Sequence, residues 1–485
     1  MRAARSYGSI GMTVLGRGGY GAVSGSCLQP PAVNLSGRSD WRMAPGRIPS
    51  AGDERETVPR RRGWIIASLL AVALLVSGTG AARATSPAGR WVASWAASPS
   101  DGSFPTDAAL LPVPAAIYDQ TARMVVTPHL GGSVLRVHLS NRFGSAPVTF
   151  GRVTVGTATA DGVADLTGVT FASHETVTVP AGADVVSDAV RMPFAAFEPL
   201  AVSVYLPGQQ GAPTKHWNAN ATSYYSPPGT GDLSTVATDT GFTTPTEAWF
   251  YLDGIDVEAA APTRTIVAFG DSITDGFVAS NPASIPVSLQ VADKNGRYPD
   301  DLQRRIDAAG VPLSVVNAGV SDNKVLSDGG SQQPMAGPSA LHRFGRDALD
   351  VPGVSGVLFM EGINDLGGPG STVTASQLIS GYEQIIAMAH TAGKKIWLGT
   401  IPPASNAVFD GTLLAPASEA NREQVNAWIR SQHLADGVVD FDRALRDPAN
   451  PTVMNPAYAG PDHLHPNLLG YEVMADTVPL SMLCS

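Results

Sequence analysis

Thr265-Ile266-Val267-Ala268-Phe269-Gly270-Asp271-Ser272-Ile273-Thr274-Asp275-Gly276 is the stretch on which the fold turns. A β-branched apolar run that stops abruptly at Gly-Asp-Ser reads as a buried strand turning sharply into a loop or helix. That geometry leaves the Ser272 hydroxyl at the carboxyl edge of a sheet, where open α/β sheets bind ligands.

Outward from this stretch the pattern repeats. Strand-like runs at 265–269, 313–318, 354–360, 395–400 and 437–441 alternate with helical stretches at 298–309, 375–391 and 418–431. Such alternation specifies a parallel sheet with helices on both faces. Upstream the texture differs. Ser133–Ser140, Glu175–Val179 and Leu200–Leu206 alternate apolar and polar residues between Gly, Pro, Asn and Asp punctuation, which predicts antiparallel sheets packed as a sandwich or jelly roll. The run Glu258–Thr263 is the natural boundary, dividing an all-β segment 85–258 from an α/β segment 264–485.

A serine hydroxyl is a weak nucleophile at neutral pH, so Ser272 needs a base, a group to orient that base and donors for an oxyanion. Asp462 and His465 are three residues apart, a spacing that in a turn puts both side chains on one side. The carboxylate then holds the imidazole in the tautomer that accepts the serine proton. Pro466 is placed to begin the terminal helix. His463 competes with His465 for the base role, but spacing and the following proline favour His465. Asn317-Ala318-Gly319 follows the second strand, and Gly362-Ile363-Asn364-Asp365 follows the third. Glycine lets a backbone N–H approach a bound oxygen, and an asparagine amide donates to the same oxygen. Asp271 and Asp365 read as supporting hydrogen-bonding residues rather than catalytic acids.

With these residues in view, the chain resembles an SGNH hydrolase of the GDSL esterase and lipase superfamily over roughly residues 264–480. The resemblance implies Ser272 as nucleophile, Asp462 and His465 as its partners, and Gly319 and Asn364 as oxyanion donors alongside the Ser272 amide. It also implies a flavodoxin-like three-layer α/β/α domain and a mechanism without metal or cofactor. One departure stands out: where many relatives carry a Ser-Gly-Asn turn, this chain has Ser321-Asp322-Asn323, adding a carboxylate near the expected pocket. Trp91–Ala96 and Asn141-Arg142-Phe143-Gly144 resemble the accessory β-domain of larger secreted bacterial GDSL esterases. His216-Trp217-Asn218 and Tyr224-Tyr225 supply aromatic rings that either stack on sugars or pack the interior.

Residues 1–84 are an N-terminal extension with a secretory signal. Arg60-Arg61-Arg62 precede an apolar stretch from Trp64 to Val76, and Ala82-Arg83-Ala84 supplies the cleavage site, after Ala84. An uncleaved membrane anchor at residues 64–80 is the alternative. The formal net charge is −10, with much of the basic complement before Ala84, which disfavours nucleic acid as a partner. The two cysteines are Cys27 and Cys484, and Cys484 reads as an idle terminal thiol. The function expected is a secreted serine esterase acting on short-chain or carbohydrate O-acyl esters, small or polysaccharide. A lipase or lysophospholipase on longer chains and an acyltransferase are the enzymatic alternatives, and an inactive polysaccharide-binding protein is the non-enzymatic one.

Overall fold

The computed structural model describes residues 90–484 apart from 281–290, 369, 410–411 and 415. The signal segment expected within 1–84 lies outside the described residues. Cys484 is disulfide-bonded rather than an idle thiol. Residues 87–485 fall within one compact unit.

The first half is antiparallel throughout. One sheet joins 90–96, 252–259, 132–140, 184–186 and 190–194; the other joins 244–246, 223–225, 117–126, 200–210, 152–159 and 162–169. Alternation decides which side is buried. Leu135, Val137 and Leu139 are fully buried in the first sheet, as are Leu200, Val202 and Val204 in the second, and all six enter one apolar core between the sheets.

From Arg264 onward the sheet is parallel. Its strands are β1 (Arg264–Gly270), β2 (Leu313–Gly319), β3 (Val354–Met360), β4 (Lys395–Gly399) and β5 (Gly437–Val439), in the order β2-β1-β3-β4-β5. The period of two sorts the side chains onto opposite faces. Val267 and Phe269 of β1 enter a core with Leu378, Tyr382 and Ile385, whereas Ile266 and Ala268 face Tyr298, Leu302 and Ile306. The helices concerned are α1 (Ser272–Asp275), α2 (Tyr298–Ala308), α3 (Ile363–Gly367), α4 (Ala375–Thr391), α5 (Pro416–Ser431) and α6 (Leu468–Thr477). Helices α4 and α5 cover one face and α2 and α6 the other, the expected three layers with the strand order reversing at β1.

The two halves are tied by buried polar contacts. The Ala93 N–H donates to Pro352 O at 2.9 Å and Ser314 Oγ donates to Ala93 O at 2.7 Å. His129, in the loop after strand 117–126, places Nδ1 2.6 Å from Val315 O and Nε2 2.9 Å from Asp300 Oδ1. Burial opposes ionisation of Asp300, but Arg297 and His129 overcome it and hold its carboxyl well below the usual range.

Candidate active site

Strand β1 delivers the nucleophile by stopping abruptly. Asp271 is the N-cap of α1, its side chain accepting the Ile273 N–H at 3.0 Å, and Gly276, at φ 87°, closes the turn. Gly270 is required by crowding: a Cβ there would stand 2.2 Å from Met360 O and from Thr274 Oγ1. Ser272 is therefore the first residue of a single helical turn at the carboxyl end of a central strand, and it is 5% exposed.

Ser272 Oγ lies 2.8 Å from His465 Nε2, and His465 Nδ1 lies 2.6 Å from Asp462 Oδ2. Because Nδ1 faces a carboxylate it carries the ring proton, which leaves Nε2 to accept from the serine hydroxyl. Asp462 also takes the Leu464 and His465 N–H groups on Oδ1, at 3.1 Å each. Burial opposes its ionisation, but the His465 ring and these amides hold its carboxyl below the ordinary value. His463 is exposed, at φ 57°. Pro466 does not begin the terminal helix: α6 starts at Leu468, and Asn467 is its N-cap, accepting the Gly470 N–H. Pro466 instead forms a β-bridge with Ala459.

Asn364 is the second residue of α3 and 2% exposed. Its Nδ2 donates to Asn323 O at 2.9 Å, tying α3 to the turn Ser321–Asn323.

Gly319 behaves differently from the sequence expectation. Its N–H donates to Asn317 Oδ1 at 2.8 Å, so the strand satisfies this amide itself. A Cβ at Gly319 would come 2.2 Å from Asp275 N, so the glycine is there to let β2 pack against α1. The backbone beside Asn364 is the next turn, in which Asp322 takes φ 63°.

One residue that holds this turn is invisible in the sequence. Arg343, fully buried, donates to Asn323 Oδ1, Ala318 O and Gly270 O at 2.7, 2.7 and 2.8 Å, and its guanidinium lies 3.8 Å over Phe269. One side chain thus gathers the ends of β1 and β2 and the turn. Asp365 accepts the Val325 and Leu326 N–H groups at 2.8 and 3.0 Å, a supporting role. Beneath the nucleophile sits a group of buried acids. Burial pushes Asp271 up to about 7 and Asp365 up to about 6, and drives Glu361 well above its ordinary value despite Arg343.

Aromatic rings wall the site from the other half. Phe277 packs on His465 with ring centroids 4.5 Å apart, and Trp217 stacks on Phe277 at 6.4 Å and 9°. Trp217 and Tyr225 are 7% and 8% exposed, with Trp217 Nε1 donating to Thr106 O and Tyr225 Oη to Pro112 O. These rings pack the interior rather than offering an open stacking platform.

Residues 268–473 match the GDSL-like Lipase/Acylhydrolase family. No protein of curated function matches the chain. Similar solved structures include a GDSL-like lipase from Bacteroides thetaiotaomicron, 17% identical, covering 45% of this chain and 88% of that one with a TM-score of 0.34. A carbohydrate acetylesterase from Sinorhizobium meliloti is 15% identical, with 44% and 95% covered and a TM-score of 0.35. An aryl esterase from M. smegmatis is 16% identical, with the same coverages of 44% and 95% and a TM-score of 0.35. The segment that carries Ser272, Asn364, Asp462 and His465 is thus similar to the GDSL-like lipases and acylhydrolases over residues 268–473, and the protein is a carboxylic ester hydrolase.

Proposed function

We propose that the protein is an exported esterase that forms an acyl-enzyme on Ser272 and acts on short-chain or carbohydrate O-acyl esters. The observation that carries this reading is the hydrogen-bond chain from Ser272 Oγ to His465 Nε2 and from His465 Nδ1 to Asp462. His465 takes the serine proton as Oγ attacks the ester carbonyl, and Asp462 stabilises the imidazolium that forms. His465 then protonates the leaving alkoxide, and a water activated by the same ring releases the acid.

The tetrahedral oxyanion is assigned to the Ser272 amide, the Asn364 Nδ2 and the Asp322 backbone amide, the last replacing Gly319. Supporting this are the contact of Asn364 with the turn and the prior use of the Gly319 N–H by Asn317. A short acyl group suits a nucleophile only 5% exposed, with Phe277 against its base and Trp217 stacked behind. Export rests on the basic, apolar and Ala-Arg-Ala segments before residue 85, and N-terminal sequencing of the mature protein tests it.

The substrate reading is tested with nitrophenyl esters of increasing acyl length and with acetylated polysaccharides, using the native protein and Ser272→Ala. A short-chain optimum with acetate release from polysaccharide, both lost in Ser272→Ala, is expected. An optimum at long chains contradicts it.

A further inference from the structure

His216 belongs to the β-rich half and is buried, in the short strand Lys215–His216 paired with Trp249–Phe250. Its ring stacks on Trp249 with centroids 5.4 Å apart. Nδ1 lies 2.8 Å from Ser98 O, and Nε2 lies 3.1 Å from Asn218 O and 3.0 Å from Asp275 Oδ1. All three partners are acceptors. A neutral imidazole would point a lone pair at one of these oxygens, so both ring nitrogens carry hydrogen and His216 is an imidazolium paired with the Asp275 carboxylate. The energetics agree with the geometry: burial works against the charged ring, but the Asp275 carboxylate outweighs it and the pKa is raised.

Asp275 is the last residue of α1 and is 1% exposed. Its second oxygen, Oδ2, accepts the Ser321 N–H at 3.1 Å and the Ser321 hydroxyl at 2.7 Å. Ser321 opens the turn that carries the Asp322 amide and ends in Asn323, whose carbonyl accepts from Asn364. The contacts therefore run in series, from a cation of the β-rich half, through a carboxylate three residues after the nucleophile, to the backbone that presents the oxyanion donors.

We infer that His216 is a positioning residue for ester hydrolysis: the β-rich half fixes the oxyanion turn by supplying the counter-charge of Asp275. This rests on the oxyanion assignment proposed above. The His216 ring bonds to Ser98, Asn218 and Asp275, and the hydrogen bond of Ser272 Oγ is to His465, so a change at His216 acts first on the turn rather than on the base. What is lost is the alignment of donors with the tetrahedral intermediate. A displacement of about 1 Å at a reacting centre can cost on the order of 100-fold in rate.

The test compares the native enzyme with His216→Gln, Asp275→Asn, the double variant and Ser321→Ala on p-nitrophenyl acetate, together with the affinity of an aryl trifluoromethyl ketone, which forms a tetrahedral oxyanion on the serine. His216→Gln is expected to lower kcat by roughly 10- to 100-fold with KM nearly unchanged, and to weaken the ketone by the same factor. Asp275→Asn is expected to do likewise, and the double variant to be no worse than the more damaging single one, because both act through one contact. Ser321→Ala keeps the ion pair and removes one contact with the turn, so a smaller loss in kcat is expected. It serves if His216→Gln does not fold. Folded His216→Gln and Ser321→Ala with native kcat and native ketone affinity, while Ser272→Ala is inactive, overturn the inference and leave the esterase reading intact. A fully active Ser272→Ala overturns both.

Discussion

The side-chain amide of Asn364 donates to the backbone carbonyl of Asn323 across 2.9 Å. An amide nitrogen has two N–H groups, so the bond that anchors the turn leaves a second one for substrate. Asn364→Ala removes both, and kcat on nitrophenyl acetate is expected to fall by roughly 10²- to 10³-fold. An unchanged rate takes Asn364 out of the site.

Asp462 holds His465 through a side-chain contact of 2.6 Å. In Asp462→Asn the side-chain NH2 must face either the Leu464 and His465 N–H groups or Nδ1, and where it faces Nδ1 the ring is driven toward the wrong tautomer. A loss in kcat on the order of 10³- to 10⁴-fold is expected from steady-state kinetics. His463→Ala serves as the internal control: the residue is exposed, and most of the native rate should remain. Near-native activity in Asp462→Asn, or a collapse in His463→Ala, contradicts the assignment of the base.

Phe277 is 5% exposed and its ring rests on that of His465. Phe277→Ala opens a cavity between the halves and is expected to cost about 3–5 kcal/mol of stability. It also frees the base to turn, so kcat should drop as well. Denaturant midpoints and kinetics on Phe277→Ala and Phe277→Leu check this, with leucine recovering much of both quantities. Equal, small effects of the two variants argue against a packing role.

The acids beneath the nucleophile give a signed dependence on pH. Asp271 is pushed up to about 7 and Glu361 well above its ordinary value, chiefly by burial. Between the ordinary carboxyl range near ~4 and these raised values, the folded state holds protons that the unfolded chain releases. Their contribution to stability therefore falls as pH rises through that window. Asp300 and Asp462, which are lowered, act the opposite way at more acidic pH. Thermal unfolding from pH 5 to 8 is expected to show a shallower decline in Glu361→Gln than in the native protein. An identical slope rules Glu361 out as a source.

The strand runs, the three long helices and the Asp462–His465 pair were legible because they are local, each resting on periodicity or on residues a few positions apart, whereas Ser272, 193 residues before His465, was legible from the abrupt Gly-Asp-Ser end of its strand. Gly319 marks the limit of such local reading. A glycine at a strand end reads as a donor, but whether its N–H is free depends on Asn317 folding back on its own strand and on how closely α1 packs. His216 read as part of an aromatic cluster, since its partner Asp275 is 59 residues away and only the packing of the two halves joins them. Arg343 gave no signal either, because its acceptors, two backbone carbonyls and the Asn323 side chain, lie on three separate stretches brought together by the fold.

The most direct test is to quench the native enzyme during turnover of p-nitrophenyl acetate and locate the acetyl group by mass spectrometry of the digested protein. Acetyl on the peptide containing Ser272, absent from Ser272→Ala, is the expected result. Acetyl on another residue, or sustained hydrolysis by Ser272→Ala, contradicts the acyl-enzyme on Ser272.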